Sequence, residues 1–374
     1  MSNPELTSLE RVETALAVKQ ADRVPVAPMI VLHAATIANI PITDFLFNFE
    51  MAQRAARKVF DLYKGLDMIS FLPGSGLMYN SPFISTHSRL YFNWEFAAKL
   101  PPQLHEDPLM GPEGYDKILD EGVIPWLKRP VDFDPQQMLA MSSKMKKELK
   151  YWLRERQVHT FISATSPTPF DLLSQFRGLR NFVMDLRRQP EKVAEVAEFL
   201  APGLAALAEF MYSEVKGVKR VFIGGVRGSA SFISPAMSAE LFFPSLKTMV
   251  EYLLRDGFQI NLHFDTDWTP ILDLFNEFLP AKKGFLTLQL ENTDMQKAKE
   301  VCGTNYCLMG NISSTLQKMG TPQQIEDACV KLINTVGEGG GFILSSGCEV
   351  PIDAPFANVK AIVDAAHKYG IYRA

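Results

Sequence analysis

The stretch QINLHFDTDWTPILDLFNEFLPAKKGFLTLQLENTD (Gln259–Asp294) decides the fold class. It opens on an apolar run, Gln259–His263, turns helical near Trp268 and Pro270, and returns to a second apolar run, Phe285–Leu290. Strands that alternate with helices argue for a parallel sheet, because parallel neighbours need a crossover connection. The same alternation extends in both directions. Further runs at Val24–Val31, Leu66–Phe71, His159–Ala164, Arg220–Gly224, Tyr306–Gly310 and Gly341–Ser345 bring the set to eight. Eight such units predict a closed (β/α)8 barrel, an α/β fold, with an open doubly wound sheet as the alternative. No G-x-G-x-x-G or P-loop follows the first run, which weakens the nucleotide-binding form of that alternative.

The helical stretches carry their own signals. In AMSAELFFPSLKTMVEYLLRDG, Leu241, Leu246, Met249, Val250 and Leu253 recur at helical spacing. In TPQQIEDACVKLINTVGEGG, Thr321 and Pro322 read as an N-cap and a first-turn proline, and the glycines from Gly337 end the helix. The spacing of the runs is uneven. Roughly 85 residues, Pro73–Gln157, separate the second and third runs. That is too long for a plain crossover and reads as a cover inserted in one domain spanning 1–374, or as a small structural subdomain.

The 374 residues are 47% hydrophobic and 21% charged, with a formal net charge of -4, an ordinary globular composition. No long basic run points to nucleic acid, and Lys144, Lys146, Lys147 and Lys150 read as a solvated helix face. No apolar run approaches the roughly 20 residues that span a bilayer. The polar, acidic start is neither a secretory signal nor a transit peptide, so a cytoplasmic protein is expected. The four cysteines, Cys302, Cys307, Cys329 and Cys348, then read as thiols, the first three structural.

Barrel chemistry sits at the C-terminal ends of strands. Those ends carry His263 and Asp265, then Gln289 and Glu291, then Asn311, then Cys348. Imidazole, carboxylate and thiolate converging on one mouth are the ligands zinc takes. Each residue also has a plain reading: a hydrogen-bonded histidine, a buried thiol acting as a small hydrophobe, an aspartate (Asp265 or Asp267) capping the next helix. The Gly-rich GGVRGSAS after the fourth run contains Arg227, which can meet an anion. ATSPTPFDLL offers Thr165, Ser166 and Thr168 as donors.

Four segments resemble the uroporphyrinogen decarboxylase superfamily: ERVETALAVKQADRVPV, FRGLRNFVMDLRRQPEKVAEV, GNISSTLQKMGTPQQIEDACVKLI and GGGFILSSGCEVPIDAPFANVKAIVDAAHKYG. The last is similar to its corrinoid-dependent methyltransferase branch. The resemblance covers nearly the whole chain, most weakly over Pro73–Gln157, and implies a (β/α)8 barrel. It also implies a zinc site of His-x-Cys plus a distant Cys. His263 and Cys348 match that pattern, and Asp265 stands where the branch has its middle cysteine. The implied set is His263, Asp265 and Cys348, catalytic and metal-binding, with Glu291 in reserve. An oxygen ligand in place of a thiolate makes the zinc a harder Lewis acid and argues against a thiol substrate such as coenzyme M.

The decarboxylase branch carries arginines after the first strand and an aspartate after the second. Here MIVLHAATIANI has no arginine and SFLPGSGLMYN no aspartate. No D-x-H-x-x-G stretch for cobalamin is present, so cobalamin is expected on a separate corrinoid protein. An ether oxygen leaves poorly without an electrophile. A hard zinc and the aromatic Tyr79, Phe83, Tyr91, Phe92, Trp94 and Phe96 point to a methoxylated aromatic as methyl donor. Tyr79, Arg227 and Trp268 are the candidates for substrate contact, and a homodimer is the assembly envisaged. The alternatives are methylcobamide–thiol methyl transfer and a non-catalytic binding barrel.

Overall fold

The computed structural model describes residues 5–70, 90–91, 103–104, 108–122, 135–160, 163–215 and 218–372. Its centre is a parallel sheet of six strands: β3 (Ala164–Pro167), β4 (Arg220–Gly225), β5 (Gln259–Phe264), β6 (Leu286–Leu290), β7 (Cys307–Ile312) and β8 (Phe342–Ser346), neighbours in chain order. A separate parallel pair joins β1 (Met68–Ile69) to β2 (His159–Thr160). Each of the eight expected runs therefore lies at a strand or bridge position.

The expected closed ring is not a continuous ladder among the described residues. The first run meets β8 through one bridge, Val26 to Leu344, and two serine side chains, Ser345 donating to the Ala27 carbonyl at 2.7 Å and Ser346 accepting from the Met29 N–H at 2.8 Å. A second bridge joins Met29 to Glu349 past the strand, and the Asp67 N–H donates to the Val26 carbonyl at 2.9 Å ahead of β1. The physical reason lies in the run itself. Pro25 and Pro28 have no N–H to donate, so a regular ladder cannot form along it.

Helices fill the crossovers. Pro169–Arg177 (here α1), Leu179–Arg188 (α2) and Pro190–Val215 (α3) link β3 to β4. Phe243–Arg255 (α4) links β4 to β5, and Leu272–Phe278 (α5) links β5 to β6. Pro322–Thr335 (α6) precedes β8 and Phe356–Tyr369 (α7) follows it. The anticipated cap of α6 is present as a reciprocal box between Thr321 and Gln324, with Pro322 in the first turn. The five apolar positions read in the α4 segment are all buried.

Side chains alternate across each strand. On β5, Ile260, Leu262 and Phe264 join the large core under the helices, where Phe264 meets Trp268, Phe275 and Phe242 at centroid distances of 4.6, 5.8 and 6.0 Å. Asn261 and His263 take the opposite face. A second, smaller apolar cluster, with Cys307, Met309 and Ile343, packs there against Val12, Ala15 and Leu16 of the helix Ser8–Leu16. Cys302, Cys307 and Cys329 are buried, as the sequence suggests.

The inserted stretch is anchored where it is described. Tyr115 donates to Asp185 at 3.0 Å, Arg177 donates to the Met110 carbonyl at 2.6 Å, and the buried Glu148 accepts from Arg57 at 2.8 Å. A short antiparallel pair joins Leu90–Tyr91 to Gln103–Leu104. The cover role expected of Pro73–Gln157 depends on positions 73–89, 92–102, 105–107 and 123–134, which lie outside the described residues.

One buried carboxylate ties the start of the chain to the sheet. Asp67 accepts from Arg11 at 2.8 Å, from Arg23 at 2.7 and 3.1 Å, and from the Val26 N–H at 2.8 Å. Arg11 in turn binds Asp22 through two hydrogen bonds of 2.7 and 2.6 Å. Asp67→Asn keeps the shape but leaves guanidinium charge buried without its counterion, a loss of about 3 kcal/mol or more. The expected readout is a lower urea midpoint at unchanged slope. An unchanged midpoint would show that this cluster does not hold the first run to the sheet.

Candidate metal centre

Parallel register brings the site together. In the ladder His263 pairs with Gly224 of β4 on one side and Gln289 of β6 on the other. Asp265 follows one residue past the end of β5, and its N–H donates to the Gly225 carbonyl at 3.3 Å. Cys348 stands two residues past β8, where the Gly347 N–H is bonded to the Ile312 carbonyl at the end of β7. A nitrogen of His263, a carboxylate oxygen of Asp265 and the sulfur of Cys348 all lie within 4.8 Å of one another. Zinc bonds of about 2.0–2.3 Å hold tetrahedral donors roughly 3.5 Å apart, so this spacing suits a metal ion.

His263 Nε2 lies 3.1 Å from Asp265 Oδ1. The contact is close but poorly aligned, and Oδ1 receives no hydrogen bond although it is buried. A buried carboxylate oxygen without a donor is costly unless a cation answers it. The His263 ring is stacked on Phe222, with centroids 5.1 Å apart, which fixes its plane.

The electrostatics agree. Burial works against the charged form of Asp265, but His263 and the Cys348 thiol outweigh it and hold the carboxyl below its usual range. Burial, followed by the negative charges of Asp265 and Glu349, pushes the Cys348 thiol far up. With only these protein charges around it the sulfur keeps its proton. A divalent cation at the same point displaces it. The three side chains therefore fit a metal such as zinc, as an N, O and S donor set with room for a fourth ligand.

The two acidic roles left open by the sequence separate here. Asp267 Oδ1 accepts from the Thr269 N–H at 2.8 Å and caps the turn ahead of α5. Asp265 instead faces His263. Glu291 stands outside the three-residue group, and its Oε2 accepts from the Thr266 N–H at 3.2 Å. Thr266 has φ +70°. This conformation costs a branched residue about 1–3 kcal/mol. Its hydroxyl donates to Ser229 at 2.8 Å, so the loops after β4, β5 and β6 are laced together through one residue.

Trp268 is fully buried and leaves no ring face to solvent. It stacks on Phe264, donates Nε1–H to the Asp265 carbonyl at 2.7 Å and its N–H to Thr293 at 3.0 Å. It braces Asp265 from behind. Asn311 donates to the carbonyls of Glu291 and Thr293 at 2.9 and 2.8 Å, holding the neighbouring loop. Arg227 is half-buried over the Phe232 ring at 4.9 Å, and the buried Asp171 accepts its N–H at 3.0 Å. Tyr79 lies outside the described residues, as do Phe83, Phe92, Trp94 and Phe96, and of Tyr91 only the backbone is described.

Two polar residues went unremarked or unused in the sequence reading. Asn261, buried, donates to Gln289 Oε1 at 2.9 Å, one strand position below His263 on the same face. The signal was available: Asn261, His263 and Asp265 share one period of two.

A family model described as uroporphyrinogen decarboxylase (URO-D) matches residues 114–369. A uroporphyrinogen decarboxylase of Pseudoalteromonas atlantica is 34% identical over 76 residues, 20% of this chain and 21% of that protein. One of Coxiella burnetii is 28% identical over 79 residues, 21% of this chain and 22% of that protein. The chain thus spans about a fifth of the length of the curated relatives it matches. A solved structure, a methyltransferase from Methanosarcina mazei, superposes with TM-score 0.68 at 18% identity, over 98% of this chain and 99% of that one, and so shares its fold.

His263→Ala and Cys348→Ala should each weaken zinc binding by more than the roughly 10–100-fold that loss of an outer hydrogen bond costs a metal site. Asp265→Ala should lose more affinity than Glu291→Ala. Metal analysis with circular dichroism as the fold control checks both. Full zinc occupancy in the His263 and Cys348 variants would remove the site.

Proposed function

The chain belongs to the uroporphyrinogen decarboxylase family, and within that family we propose that it is a zinc-dependent methyltransferase. It moves a methyl group from a small O-methyl donor, a methoxylated aromatic, to the cob(I)alamin of a separate corrinoid protein. The observation that carries this reading is the convergence of His263, Asp265 and Cys348 on one point at the strand ends. The fold shared with a methyltransferase supports it. The closed eight-stranded barrel belongs to the same proposal, with the proline-interrupted first run standing between β8 and β1.

Methyl transfer to a cobalt nucleophile requires a leaving group that can bear the electron pair. His263, Asp265 and Cys348 would hold the zinc ion, which would supply a Lewis acid for a departing oxygen. The chain's own groups do the rest. Phe222 holds the His263 plane, the Trp268 indole fixes the carbonyl of Asp265, and Thr266 with Glu291 keeps the loops in place around them. An oxygen among the ligands favours an oxygen leaving group over sulfur.

The local matches to decarboxylases do not extend to their chemistry. A tetrapyrrole with many carboxylates needs cations, and Met29–Ile40 contains no arginine or lysine. The site itself gathers Asp265 and Glu349 close to Cys348, which repels rather than receives carboxylates.

The deciding assay combines purified protein, zinc, cob(I)alamin and a donor panel of aryl ethers, methanol, methylamines, methyl thioethers and uroporphyrinogen. Methylcobalamin should form from aryl ethers, and His263→Ala should lower the rate by at least about 100-fold, the scale of losing a main electrostatic stabiliser. Transfer with thiol compounds alone would establish the thiol methyltransferase. Decarboxylation of uroporphyrinogen would establish the decarboxylase, and no turnover with any donor would leave a binding barrel.

A further inference from the structure

The helix α2, Leu179–Arg188, turns two different faces. Inward, Phe182 and Leu186 are buried, and Asp185 is tied to Tyr115 and Arg177 at 3.0 and 2.6 Å. Outward stand Arg180, Val183, Met184, Arg187 and Arg188, all exposed. Val183 and Met184 are 47% and 41% exposed, high for adjacent apolar side chains on a helix. Among the described residues none of these three guanidiniums makes a hydrogen bond or ion pair. The face is therefore an apolar centre rimmed by cations, on a chain whose net charge is -4.

Helix stability does not account for it. Arg187 and Arg188 lie in the last turn, where cations are favourable. Arg180 lies in the first turn, where a cation opposes the helix dipole. Asp185 does not neutralise the face, since its carboxylate points inward to its two partners. The next exposed acid along the chain, Glu191, is one charge against three.

Position gives the face a use. Helix α1 starts directly after β3, at Thr168, so its first turn lies at the end of the barrel where strands finish. Phe170 in that turn packs edge-on against Phe182 at 4.9 Å. The middle of α2 is thus level with the mouth that holds His263, Asp265 and Cys348, on its outer flank. Interfaces that must form and release often pair a small apolar centre with a charged rim, which also steers the encounter.

We propose that this face of α2 is the docking surface for an acidic, apolar-centred patch on the protein that carries the corrinoid. The inference rests on the methyl transfer proposed above. Docking here brings the cofactor to the rim of the mouth from the side while the barrel axis stays open to the donor.

The test compares wild type with the triple variant Arg180→Glu, Arg187→Glu, Arg188→Glu and with Val183→Ser plus Met184→Ser. Two acceptors are used with one aryl-ether donor: free cob(I)alamin, and a panel of purified corrinoid proteins reduced to the cob(I)alamin state. Circular dichroism monitors folding, and sedimentation velocity monitors self-association. The triple variant should raise KM for the protein-bound acceptor by roughly tenfold or more, the scale of lost steering. Its rate with free cob(I)alamin should stay at the wild-type value, and salt should slow wild type but not the variant. The serine variant should raise KM with its salt dependence retained. An unchanged KM for protein-bound acceptor in both folded variants would overturn the docking surface and leave methyl transfer intact. A change in self-association alone would assign the face to a second copy and overturn it likewise. Wild type inactive with both acceptors would sink the methyl-transfer reading itself, and the docking inference with it.

Discussion

Parallel pairing is the constraint on which the rest depends. Six strands run the same way in chain order, so each must be followed by a return over the sheet, and all their C-terminal ends fall on one edge. Residues 85 positions apart in sequence, His263 and Cys348, meet for that reason alone. The period of two then selects which residues at that edge turn away from the helices. On β5 it sends Asn261 and His263 to one face and Phe264 to the other, into the aromatic packing with Trp268 and Phe275. One register shift would exchange the candidate ligand for the core residue.

Around that edge the structure spends its polar groups on holding loops, not on meeting solvent. Thr266 accepts a left-handed backbone because Glu291 and Ser229 bind it. Asn311 grips two carbonyls of the next loop, and the Trp268 indole grips the carbonyl of Asp265. Asp265 Oδ1, His263 Nδ1 and, one position below on the same face, Asn261 Oδ1 are buried without a hydrogen bond. The open carboxylate oxygen lies where N, O and S donors converge, and that adds to the case for a metal which the proximity of the three residues makes.

The two flanks of the site are held by different kinds of bond. The flank built from β5 to β7 is braced by side chain to backbone bonds. The opposite flank depends on the proline-interrupted first run, held by the Asp67 cluster instead of a ladder. A buried carboxylate shared by two guanidiniums is directional and strong when complete, and it fixes the run where hydrogen-bonded pairing is chemically unavailable.

The sequence by itself determined the alternation of strands with crossover helices, and hence the parallel sheet and the shared edge at which its strands end. All of these follow from local periodicity and from the rule that parallel strands need connections. The cap at Thr321 and the buried face of α4 were equally legible, since capping and helical spacing are local. The candidates His263, Asp265 and Cys348 were legible too, through strand-end position and family resemblance. What only the tertiary structure decided is which acid faces the histidine. Asp265, Asp267 and Glu291 are alike in sequence, yet one meets His263, one caps a turn and one binds the Thr266 backbone. The broken ladder of the first run and the buried place of Trp268 were decided the same way. Side-chain direction at a loop depends on contacts from distant segments, and no local pattern encodes those.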